Sequence, residues 1–181
     1  MVLSLDHIAA ASGSSVTNLI AGSTGVTILD PPPLSLEQNV IQSNNTTFLV
    51  TETDCFVLPS NVTVNIASDG TFLGGVNEGV VIPAGTAVCS FLLVADRSSN
   101  GTLSGSVTFT EDILGLIGLR PQFDASTPIF QLPNLTYPSA SGVFLENNDD
   151  LTLTGSTLSW DMFMGGGFAD AMRIIVECTL P

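Results

Sequence analysis

The chain has 181 residues, with 17 acidic side chains against three arginines, one histidine and no lysine, for a formal net charge of −14. Charged residues make up 11% and hydrophobic residues 44%, so the surface must be covered largely by Ser, Thr, Asn and Gly. A field of that sign repels phosphates and argues against nucleic acid as a partner, and no stretch approaches the roughly 20 apolar residues of a membrane span. Cations are the natural partners of such a surface, calcium first among them. The plainer reading is that the charge only keeps an apolar chain soluble. The length suits one sizeable core, or one core with an appended segment.

In chain order, Met1–Asp6 has no basic region followed by an apolar one and does not read as an intact signal peptide. If the protein is exported, the expectation is a mature form. Val16, Leu19 and Ile20 have helical spacing and predict a short helix over 15–21. Val26–Leu29 reads as a strand. Asp30-Pro31-Pro32-Pro33 then breaks regular pairing, because proline lacks an N–H and biases its neighbour toward extended conformations. Residues 1–37 are therefore read as a lead-in, with the extended part available as a strand donated to a neighbour, and 38–181 as the main domain.

From Asn39 onward nearly every run is strand-like. Thr46–Val50 and Cys55–Leu58 are rich in β-branched and aromatic residues. Val62–Ile66 alternates, with Thr63 and Asn65 as the polar positions. Ala87–Ala95 is almost wholly apolar, as a strand buried on both faces requires. Leu103–Thr110 alternates again. Ile113–Leu119 suits a strand or a bulged edge. Residues 121–142 hold four prolines and read as a long loop, or as a short helix near Asp124–Ser126. Leu151–Thr154 turns at Gly155-Ser156 into Thr157–Met162. Gly165–Gly167 reads as a hairpin loop returning the chain as Ala171–Cys178. Short strands at this spacing predict an all-β antiparallel sandwich, jelly-roll or Ig-like, of about eight to ten strands after a short helical and extended lead-in.

Cys55 and Cys89 each lie in a strand-like run, and a bridge between them would close about 35 residues, worth about 3–4 kcal/mol. Cys178 is then left free or pairs between chains. The alternative is three buried, reduced thiols.

Several runs resemble secreted bacterial proteins of the exosortase-sorted (PEP-CTERM) type. They are Pro83-Ala84-Gly85-Thr86 with the strand ending Val94-Ala95-Asp96, Leu103–Phe109 with Ile113-Leu114-Gly115, Tyr137-Pro138, Gly142–Glu146, Leu151–Leu158 and Ala169–Ile174. The resemblance spans about Gln38 to Cys178. It implies an exported protein of the cell surface or extracellular matrix with no established enzymatic activity. The chain departs from the pattern at Cys178–Pro181, where the family carries a Pro-Glu-Pro signal, an apolar helix and a basic tail. Either that tail was removed, or this relative is released or assembled rather than sorted.

Glu146-Asn147-Asn148-Asp149-Asp150 is dense in hard oxygen ligands, and Glu146, Asn148, Asp149 and Asp150 are the candidate calcium ligands. The loop lacks EF-hand spacing and reads equally as a solvated turn. Glu52/Asp54 and Glu111/Asp112 are further acidic pairs. No pair stands out for glycoside hydrolysis, no Gly-x-Ser-x-Gly elbow occurs, and a triad would need His7, in the lead-in. Trp160 reads as core, and Arg173 as the partner of Asp170 or of a carboxylate across the sheet. The expectation is a non-enzymatic, exported structural protein that assembles with copies of itself. The alternative is a calcium-dependent module binding extracellular polysaccharide.

Overall fold

A computed structural model describes residues 8–13, 26–29, 35–36, 46–67, 71–73, 79–97, 100–137, 144–146, 148–165 and 169–180. The helix expected over 15–21 and the histidine His7 lie outside them. The described residues form thirteen strands and one helix. The strands are β1 (Ile8–Gly13), β2 (Val26–Ile28), β3 (Thr46–Val57), β4 (Val62–Val64), β5 (Ile66–Ala67), β6 (Thr71–Leu73), β7 (Val80–Ile82), β8 (Ala87–Asp96), β9 (Gly101–Phe109), β10 (Ile113–Ile117), β11 (Asp150–Thr154), β12 (Thr157–Met164) and β13 (Ala169–Glu177). The helix α1 is Arg120–Phe130. The protein is all-β, as the alternating runs predict.

Five strands pair in the order β1-β9-β12-β11-β6 and six in the order β2-β3-β8-β13-β10-β5, while β4 and β7 form a separate ribbon. Every pairing is antiparallel except β2 with β3. One apolar cluster takes side chains from both large sheets, among them Phe91, Leu93, Ile174 and Val176 from the six-stranded sheet and Val107, Phe109, Leu158 and Trp160 from the five-stranded one. The period of two decides this. On β12, Leu158, Trp160, Met162 and Met164 are buried, while Ser159, Asp161 and Phe163 between them are exposed.

The six-stranded sheet carries a second cluster on its other face, where Val88, Leu92, Val94 and Ile175 meet Phe123 and Phe130 of α1 and Val62 and Val64 of β4. Strand β8 is therefore covered on both sides, and nine of its ten residues are buried. This is why its sequence runs apolar without alternation. Each fully buried large side chain contributes roughly 1.5–3 kcal/mol.

Two expectations left open are decided in the folded chain, and two change. Of the two readings for the segment after Leu119, a long loop or a short helix near Asp124–Ser126, the helix is found, and it extends over eleven residues. Pro121 sits in its first turn, where no N–H is needed, and Phe123, Ser126 and Phe130 form its buried face. Asn65 faces inward although its neighbour pattern predicts an outward polar position. Its Oδ1 accepts hydrogen bonds from the Gly118 and Leu119 N–H groups, both at 3.0 Å, which breaks one run into β4 and β5 and fixes the entry to α1. Residues 113–117, read as a strand or a bulged edge, form the interior strand β10, which pairs with both β13 and β5 and has a register shift between Ile113 and Gly115. Gly115 is required there, because a Cβ would lie 2.8 Å from the Ile66 carbonyl oxygen. Finally, β12 and β13 belong to different sheets and do not form a hairpin with each other; residues 166–168, within the loop expected there, lie outside the described residues.

Candidate functional site

Of the four candidate calcium ligands, Asp149 is buried while Glu146, Asn148 and Asp150 are exposed. Asp149 is fully buried, and its carboxylate is occupied by backbone. Oδ2 accepts from the Glu146 N–H at 2.7 Å and Oδ1 from the Phe163 N–H at 2.9 Å. The side chain closes the 146–149 turn and ties it to β12. Asp150, the next residue, points the opposite way, as strand geometry demands, and is exposed with Glu146 and Asn148. Across the pairing, Asp150 stands opposite Asp161, also exposed. Among the described residues no three His, Cys, Asp or Glu side chains come close enough to share a metal ion.

The fold instead sets Asp170 beside this turn. It is 3% exposed, and its Oδ2 has no hydrogen-bond partner. Burial, then the charges of Asp149 and Glu146, push its carboxyl up to about 8. Burial also raises Asp149, against the two amides that hold it down. The signal for Asp170 was present in the chain: Met172, Ile174 and Val176 face the inter-sheet core, and Asp170 shares their parity.

Arg173 pairs not with Asp170 but with Glu52, across the sheet. It points to the opposite face, as its odd parity requires, and both side chains are fully buried. Its Nε donates to Glu52 Oε2 at 2.7 Å and its Nη2 to Oε1 at 2.8 Å, a two-point contact. Glu52 lies at a register shift of β3 between Thr51 and Thr53. Ser90 Oγ donates to Oε2 at 2.6 Å, and Arg173 Nη1 donates to Ser126 Oγ and, at 3.4 Å, to the Phe123 carbonyl. The guanidinium lies 4.4 Å from the Phe123 ring centroid, 5.3 Å from that of Phe130 and 5.8 Å from that of Tyr137. The Tyr137 hydroxyl accepts from the Leu132 N–H at 2.9 Å and hydrogen-bonds Glu52; burial and then the Glu52 charge push it well above its ordinary range. This knot binds β3, β8, β13 and α1 to one another. Arg173 and Glu52 at its centre are fully buried and committed to each other, which holds the helix on the sheet.

The disulfide joins Cys55 to Cys178, with Cα atoms 5.8 Å apart, which corrects both the expected Cys55–Cys89 bridge and the free or interchain Cys178. The reason lies in the strand order. Strand β8 runs between β3 and β13, and just beyond β13 the Cys178 N–H donates to the Ala87 carbonyl, which brings Cys178 to Cys55 around the start of β8. Cys89 is buried in the inter-sheet core, and burial pushes its thiol up to about 12. Beside Cys55, a cavity of about 330 Å³ opens between residues 52–56 and 129–133.

Of the remaining candidates, Glu52 is committed to Arg173, and Glu111 and Asp112 are exposed at the turn before β10. Trp160 is 3% exposed, in the core. Comparisons with protein-family models, with curated proteins and with solved structures gave no match.

Proposed function

We propose that this protein is a non-enzymatic, exported building block that works by associating with copies of itself at the cell surface or in an extracellular matrix. The observation that carries the reading is the outward face of the five-stranded sheet. Thr152 and Thr154 of β11, Ser159 of β12 and Thr102 of β9 are exposed there, beside Ser104, Ser106, Thr108 and Thr157, which are half-buried. A broad hydroxyl face with few charges meets a like face through hydroxyl–hydroxyl hydrogen bonds, which offset the cost of burying those groups, and suits contact rather than catalysis. The Cys55–Cys178 bridge supports an oxidising destination outside the cytoplasm. The resemblance to exosortase-sorted surface proteins favours the same place. The two facing sheets suit a sandwich of jelly-roll or Ig-like kind. Light scattering of the purified chain over rising concentration, with negative-stain microscopy, tests the reading: growing assemblies are expected, and a monomer at every concentration and salt would overturn it.

One observation favours the second reading, a calcium-dependent module for extracellular polysaccharide. Asp150 and Asp161 face each other across β11 and β12, and like charges directly opposed are unfavourable unless a cation lies between them. On this reading millimolar calcium raises the melting temperature, and Asp150→Ala with Asp161→Ala abolishes the rise. No rise in the unaltered chain would remove calcium from the account.

A further inference from the structure

Strands β1 and β2, the first two of the chain's described strands, each supply an edge to one large sheet. Strand β1 is the outer strand of the five-stranded sheet, where Ala10–Gly13 pair with Gly105–Thr108 of β9. Strand β2 is the outer strand of the six-stranded sheet, with Val26, Thr27 and Ile28 opposite Thr47, Phe48 and Leu49 of β3. Val26 is fully buried in the inter-sheet core. One N-terminal segment thus caps both edges and fills a place between the sheets.

We propose that this segment is exchanged between copies of the chain, each copy inserting β1 and β2 into its neighbour. The proposal rests on the self-association proposed above and names its means. Three features carry it. The pairing of β2 with β3 is parallel, so no tight hairpin ties β2 to its partner strand, and residues 29–45 intervene. The described residues fix the chain on either side of a stretch only five residues long in sequence, 30–34. The Leu29 N–H donates to the Leu49 carbonyl at 3.0 Å, and Ser35 bridges Thr136, with Leu36 buried beneath it in the second core. Between them lie Asp30, three consecutive prolines and Leu34, and by sequence such a linker resists folding back on itself. Short, stiff hinges are the feature that tips a terminal segment toward exchange.

The acceptor's edges match this segment in register, and Val26 fits a site built for it, so the occupant is a second copy of the same chain. Exchanged and unexchanged forms make the same contacts. The balance is then set by the hinge and by concentration. One-way donation leaves an open edge at one end and a free segment at the other, and so builds a filament. Reciprocal donation closes a dimer.

The test uses full-length chains carrying Cys89→Ala. Chains with Val26→Cys are refolded together with chains carrying Thr47→Cys, since Val26 and Thr47 are register partners. A disulfide-linked pair of chains on a non-reducing gel is expected. A single chain carrying both substitutions, oxidised while dilute, locks the segment at home and is expected to lose the assembled fraction. Assemblies that persist in the locked chain overturn exchange and leave self-association through another surface. A monomer throughout, in unaltered chains as well, overturns both. Should the cysteine chains fail to fold, Pro31→Ala/Pro32→Ala/Pro33→Ala leaves both strands unchanged and is expected to lower the assembled fraction; an unchanged fraction overturns the proposal.

Discussion

At the scale of single residues, the two buried ionisable centres act in opposite ways. Arg173 is fully satisfied by Glu52, Ser126 and the Phe123 carbonyl, so removing one partner is worse than removing both. Glu52→Ala is expected to cost about 3–5 kcal/mol, because a guanidinium is left unpaired in an apolar cluster. The double variant Glu52→Leu/Arg173→Met is expected to cost clearly less than the sum of the single changes, which urea unfolding at constant slope measures. Asp170 is the converse. Its carboxyl titrates near 8 in the fold against an ordinary value of 3.8, so the folded state keeps a proton that the unfolded chain releases. Stability therefore falls as pH rises from about 4 to about 8, and is flat beyond. Asp170→Asn is expected to be more stable than the unaltered chain near pH 8 and to flatten that slope. Equal slopes in the two chains would show that Asp170 is ionised in the fold.

At the scale of elements, α1 and the disulfide secure the covering layer and the chain end. Helix α1 has no side-chain N-cap and carries Pro128 inside it, so its own propensity is poor. It is held by Phe123 and Phe130 in the second core and by the Arg173 contacts. Phe123→Ala is expected to cost about 3–5 kcal/mol. The loss of helical signal should precede the loss of Trp160 burial, since Trp160 lies in the other core. The Cys55–Cys178 bridge spans 123 residues of sequence, and its removal is worth about 5 kcal/mol in the chain-entropy model. Reduction is expected to lower the unfolding midpoint sharply, with Trp160 fluorescence as the probe. Cys89 is expected to stay unreactive to thiol reagents in the native chain, because burial keeps its thiol protonated.

For the molecule as a whole, the net charge of −14 opposes the proposed association between copies, which the hydroxyl face and the exchanged segment would have to outweigh. Raising salt to a few hundred millimolar shortens the range of the repulsion to well under about 10 Å. The assembled fraction seen by light scattering is accordingly expected to rise with salt. A fall would show that attraction between charged patches drives assembly instead.

Local periodicity determined much of this fold. Alternation located β9, β11 and β12, and the unbroken apolar run of β8 announced a strand covered on both faces, because side-chain direction alternates along a strand whatever it packs against. Composition likewise determined a low-charge, hydroxyl-rich surface. Only tertiary structure decided what depends on distant partners. It put β12 and β13 in different sheets, led Cys178 around the start of β8 to Cys55, and set Glu52 rather than Asp170 against Arg173. It also turned Asp149 away from solvent to receive two amides, and chose helix over loop for a proline-rich segment, and set its length, by giving Phe123 and Phe130 a sheet to cover. Each of these was settled by strand order and by which face meets which. Such choices are made by burial and pairing between segments far apart in the chain, and no local pattern carries them.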